Sequence, residues 1–206
     1  MAGGRGSTIP SAWVIAGITV AVVLGAIVYR VAASRPAAPA PDMANNGATP
    51  DAPFANGPAP DISKMSPRER FDRLFDRVVA AAEQGDSGTA YRFAPMALGA
   101  YDLLEAFDPD ARYHAAMIHL TVGEFTQAQA LADSILVEAP GHLLGYVVQA
   151  EVAKAQGRSS DLARSYGEFL AHYDAEIKTR RLEYQEHQPV VAAFKAEAET
   201  AARGRK

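Results

Sequence analysis

A chain of 206 residues with a formal net charge of −4 and no cysteine has room for one domain of ordinary size plus appendages. The acidic balance lies beyond residue 60, where 22 acidic residues stand against 17 basic ones (net −5), and it argues against a nucleic-acid partner held through its phosphates. Without cysteine there are no disulfides, thiolate metal sites or cysteine nucleophiles, and the redox compartment stays open.

After a short tail (1–11), no charge occurs from Gly6 to Tyr29, and AWVIAGITVAVVLGAIVY is strongly apolar. A helix needs about 20 such residues to cross the hydrocarbon core, so 12–32 reads as a transmembrane helix. A cleaved signal peptide is the competing reading, with Val31-Ala32-Ala33 as a site for a peptidase. The anchor is favoured because the apolar run is long and Arg30 sits just before that site. Trp13 and Tyr29 lie about 24 Å apart on such a helix, which suits aromatic residues at opposite interfaces. Gly17, Ala21 and Gly25 recur every four residues, and Trp13 and Tyr29 extend the row. Small residues at that spacing let a second helix approach closely, so these five are the candidate helix-packing residues. Arg5 opposes Arg30 and Arg35 across the span, nearly a tie under the positive-inside rule. The expected location is a bacterial inner membrane, single-pass, with the C-terminal domain on the periplasmic side.

Residues 33–65 form a Pro/Ala/Gly-rich linker with little to bury, a semi-stiff tether rather than a folded unit. Phe54 is its lone aromatic and the place where a partner surface would grip it.

The remainder, 66–206, reads as all-α. Ser66-Pro67-Arg68-Glu69 opens a first helix as a capping box with Pro at the first helical position. Phe71, Leu74, Phe75, Val78, Val79 and Ala82 make its buried stripe, and Gly85 ends it. Its arginines and acids read as a solvated face of paired charges. A second helix is expected over Ser87–Phe107, starting late or kinked at Pro95. A closing helix starts near Pro189, packs Val190, Val191 and Phe194 inward, and turns Lys195, Glu197 and Glu199 to water as a capping element would. The segment TRRLEYQEHQ before it is polar and reads as a helix extension or a loop.

Between these, a 34-residue shift brings Ala116 onto Ala150, Gly123 onto Gly157 and Leu136 onto Leu170. This is the pattern of a helical-hairpin repeat, with units at about 109–141 and 142–174. In the first, Ala116, Gly123, Phe125, Ala128 and Pro140 stand at the expected places; in the second, Tyr146, Ala150, Gly157 and Tyr166 do. The two units resemble the tetratricopeptide repeat family, with departures at Arg112, Ala115, His119, Leu162 and Asp174. The resemblance implies a stacked array with a C-terminal cap and a concave surface that binds peptides or protein termini. Tyr113, His119, Tyr146 and Gln149 are then the candidate groove residues, each also readable as packing between repeats.

Nothing in the chain assembles an active site. The five histidines are His114, His119, His142, His172 and His187. His114 and His119 fall on different helix faces, and no His-Glu-x-x-His, phosphate loop or serine elbow occurs. No catalytic, cofactor-binding or metal residue is nominated, and no cofactor is expected. The reading is a non-catalytic, membrane-anchored scaffold or accessory subunit of a larger membrane complex, such as a photosynthetic or respiratory assembly. Its expected partners are other protein subunits, chiefly integral membrane proteins, and the lipid bilayer. Homo-oligomerisation is not favoured. The alternative is a free-standing anchored adaptor that takes soluble proteins or peptides into its groove.

Overall fold

The computed structural model describes residues 65–204. The expected membrane span (12–32), its small-residue stripe, and the linker as far as residue 64 with Phe54 lie outside the described residues. Among those described, no helix is long and apolar enough to cross a membrane.

Eight helices follow one another: α1 (Pro67–Glu83), α2 (Ser87–Tyr101), α3 (Pro109–Thr121), α4 (Phe125–Glu138), α5 (Leu143–Ala155), α6 (Ser159–Lys178), α7 (Leu182–Glu186) and α8 (Gln188–Arg203). They pack as successive hairpins, α1 on α2, α3 on α4 and α5 on α6. The first helices also touch in sequence, α1 on α3 and α3 on α5, while α8 lies on α6 and α5.

Local chemistry sets the helix starts. The Ser66 hydroxyl accepts from the Glu69 amide at 3.2 Å, and the Glu69 carboxylate accepts from the Ser66 amide at 2.8 Å, which satisfies donors that a helix N-terminus otherwise leaves free. Asp86 and Asp108 cap α2 and α3 by accepting from the amides of Thr89 and Ala111. Asp108 is followed by Pro109 at the first helical position of α3.

One turn is used three times. At Gly85, Gly123 and Gly157 the backbone takes φ of 73°, 79° and 66°. The amides of each glycine and of the residue after it donate back to the carbonyls of Ala82 and Ala81, of Leu120 and His119, and of Lys154 and Ala153. These are Schellman closures. The first hairpin is therefore the same unit as the other two, with a longer exit before Pro109. Its Gly85 precedes Gly123 by 38 residues rather than 34, which hides the repeat from a fixed period. Space is open around Gly123, so a side chain there meets only backbone strain. Gly123→Val should cost about 1 kcal/mol or more in a denaturant titration.

Two apolar clusters form the interior. The N-terminal one is alanine-rich, with Ala90, Ala94, Ala97, Ala111 and Ala115 around Phe71, Val78 and Ile118. Short side chains let α1, α2 and α3 approach closely. The other holds Ile135, Leu143, Leu144, Val148, Phe169 and Phe194. Phe75 and Leu131 touch both clusters, so the hydrophobic interior runs through the whole array.

Three expectations need correction. α2 starts at Ser87 and runs through Pro95 but ends at Tyr101, six residues short of Phe107; the chain then leaves with Leu103 exposed and Leu104 buried. The polar stretch before α8 is neither loop nor simple extension. α6 ends at Lys178, Arg180 takes a left-handed φ of 56°, and the short α7 follows with Tyr184 buried. Glu197 does not simply face water: it accepts from the Tyr166 hydroxyl at 2.6 Å and from Lys154 at 2.8 Å.

Candidate functional site

In a helical-hairpin array the first helix of each hairpin lines the groove. Here those helices are α1, α3 and α5, and the chain's own C-terminal segment touches the last two. The Tyr184 hydroxyl accepts from the Leu143 amide at 3.0 Å and donates to Glu176 at 2.7 Å. It thereby caps the start of α5, where His142 offers no side-chain cap. The His187 ring meets Tyr113 edge-on, with centroids 4.8 Å apart. Further along α5, Lys154 bridges Glu151 and Glu197 at 2.8 Å each, tying α8 down.

The candidate groove residues accordingly do not line one open surface. Tyr113 is buried under His187. Tyr146 is buried and stacks on His172 at 5.6 Å. His119 pairs with Glu124 in its own turn at 2.6 Å. Gln149 donates to Asp133 of α4 at 2.9 Å.

What the fold does bring together is a polar cluster at the start of α3. Asp110 and His114 sit one turn apart on a single face, and the turn between α7 and α8 lowers His187 onto them. His187 Nε2 lies 2.8 Å from Asp110 Oδ1 and 3.2 Å from His114 Nε2. His114 Nε2 stands 3.8 Å from Asp110 Oδ1. Arg68 of α1 bonds the other Asp110 oxygen, as well as Asp108 at 3.0 Å and Asp72 at 2.9 Å. The α1 polar face is thus a bracket between helices rather than only a solvated surface. Phe75 stacks on the His114 ring at 3.9 Å, nearly parallel.

Burial alone would raise the Asp110 carboxyl, yet the hydrogen bond from His187 and the surrounding charges, Arg68 included, outweigh it and hold the group at about 2. Burial pushes His114 down to about 4, partly countered by Asp110 and Asp72. At neutral pH the cluster is therefore an ionised carboxylate facing an uncharged His114. Among the described residues, Asp110, His114 and His187 are the group whose side chains could hold a metal ion. The signal in the sequence was the Asp110/His114 spacing of four. The third member lies 73 residues beyond His114, in a stretch that composition marks as polar and nothing more.

A second buried histidine has a different consequence. His142 is fully buried, with Nε2 3.1 Å from Glu183 Oε1 and no partner for Nδ1. Burial lowers its pKa, with Glu183 pulling the other way and Arg181 adding to the lowering. A folded-state pKa below the unfolded value means that the unfolded chain takes up the proton first. Stability should then be full above about pH 6.5 and decline as the pH falls below it. Urea midpoints between pH 7.5 and 5.5 should show this decline, to which the buried His114 contributes in the same direction; His142→Gln, which can still donate to Glu183 but does not titrate, should make it shallower.

Compared with models of protein families, with curated proteins and with solved structures, the chain matches none. What stands is an all-helical domain of eight helices packed as successive hairpins.

Proposed function

We propose that this chain is a non-catalytic scaffold subunit of the tetratricopeptide type. In this reading it is tethered through 12–32 and 33–65 to the membrane and braces a larger membrane protein complex with the outer surfaces of its helical array. The observation that carries the reading is the occupied groove face. A peptide seeking α3 and α5 would have to displace α7 and α8, and with them the buried Tyr184, Val191, Phe194 and Ala198. Each large apolar side chain among these is worth about 1.5–3 kcal/mol of burial, so opening costs several kcal/mol before any ligand contact forms. That weighs against the free-standing adaptor. Outward contact has material at the first hairpin, where Met96, Leu103 and Phe107 remain exposed.

Gentle solubilisation followed by native-gel separation and mass spectrometry of the bands tests the proposal. Stoichiometric co-migration with a large membrane assembly is the expected result. A monomeric or homodimeric band would overturn it in favour of the adaptor.

A further inference from the structure

The cluster of Asp110, His114 and His187 is under-satisfied as a set of hydrogen bonds. Asp110 Oδ1, His114 Nε2 and His187 Nε2 converge on one point, with mutual separations of 2.8, 3.2 and 3.8 Å. A single proton on His187 Nε2 serves Asp110. His114 can then only share that proton as a second acceptor, and its own proton goes to Nδ1. That atom is buried without a hydrogen-bond partner, Asp72 Oδ1 being 3.7 Å away. Two acceptors and one N–H directed at one point are a donor set in which a cation can take the proton's place. Bonds of about 2.0–2.1 Å in a tetrahedral site set its ligand atoms about 3.3 Å apart, and the observed triangle brackets that value.

We propose that Asp110, His114 and His187 form a binding site for a divalent cation of the zinc class, with three protein ligands and a fourth position left for water or a partner's side chain. Two imidazoles and one carboxylate, without thiolate, are a donor set suited to zinc rather than to calcium or magnesium. The charges around the site agree. Asp72, Asp108 and Asp110 carry three negative charges against the one positive charge of Arg68, and a divalent ion neutralises the remaining two. Arg68 holds the Asp110 oxygen that faces away from the histidines, leaving Oδ1 for the metal. Asp72 sits behind His114 Nδ1, where a small approach gives the carboxylate–histidine–metal arrangement that orients a ligating imidazole. On binding, the proton on His187 Nε2 is exchanged through solvent to Nδ1, so that the ring stays neutral and the Nε2 lone pair goes to the ion. Because His187 comes from the α7–α8 turn, the ion pins the C-terminal segment to α3.

The test uses the full chain, purified in mild detergent and stripped with a chelator. One equivalent of zinc should survive gel filtration, measured by plasma mass spectrometry, and should raise the melting temperature. Cobalt(II) should give the visible absorption of a tetrahedral site. His187→Gln should weaken zinc binding by roughly 100-fold or more, since loss of even an outer partner costs about 10–100-fold. Asp72→Asn keeps all three ligands and should cost about 10–100-fold while circular dichroism stays unchanged; it carries the test if His187→Gln misfolds. His172→Gln should bind as the parent does. Substoichiometric zinc in the parent, or retention undiminished in both His187→Gln and Asp72→Asn, would overturn the site.

Discussion

Phe169→Ala is expected to destabilise the folded domain by about 3–5 kcal/mol, the range for truncating a fully buried aromatic side chain. Phe169 has no exposed surface and belongs to the apolar cluster that α5, α6 and α8 share. Its ring is T-shaped against Phe194 of α8 at 4.7 Å and tilted against Tyr173 of its own helix at 5.7 Å. Removing it leaves a cavity under α8 and also loses the ring–ring contact, worth about 0.5–1.5 kcal/mol beyond area alone. Thermal denaturation should show a drop of roughly 10–15 °C for a domain of this size. A loss under about 1 kcal/mol would mean that α8 does not close on α6 as described.

Gly145→Val is expected to cost about 3 kcal/mol through the opposite fault, overpacking. A Cβ at Gly145 would stand 2.8 Å from Leu136 Cγ, 2.9 Å from its Cδ2 and 3.3 Å from Ile135 Cγ2. The missing side chain is what lets the start of α5 pass close to the end of α4. A better helix former at this position recovers under about 1 kcal/mol, too little to offset the clash. Combining the change with Leu136→Ala removes the obstructing methyls. The double variant should regain part of the loss, a coupling of about 0.5–3 kcal/mol between touching residues. Denaturant midpoints of the two single variants and the double would measure it.

Gly145 also marks a limit of reading the sequence. Nothing in LLGYVVQA distinguishes a glycine needed for close approach from one merely tolerated in a helix. The information is in Leu136, nine residues earlier on another helix. Local signals were legible: the Ser66–Glu69 box, the Phe71–Val78 stripe and the turns at Gly123 and Gly157 all depend on neighbours a few residues apart. The end of α2 was not, because Leu103, Leu104 and Phe107 continue an apolar pattern after the backbone has left the helix to reach the Asp108 cap. The polar segment around α7 was the largest gap. Composition registers Arg181, Glu183 and His187 as hydrophilic, but it cannot say whether such groups meet water or the buried polar atoms of another helix. His187 meets Asp110 across 77 positions, a pairing that only the folded array creates. The same gap bears on the groove residues: Tyr113 lies under His187, from the stretch that reads as a helix extension or a loop, while Tyr146 is covered by His172 of α6.

Amide hydrogen exchange on the full chain tests most directly whether the array closes its own groove. Amides of α8 should exchange with protection comparable to those of α5, because Val191, Phe194 and Ala198 share one buried cluster with Leu144 and Val148 and open with it as a unit. Fast exchange throughout 182–203 beside well-protected α3 to α6 would contradict the account, since the inner face would then be open and free to take a ligand.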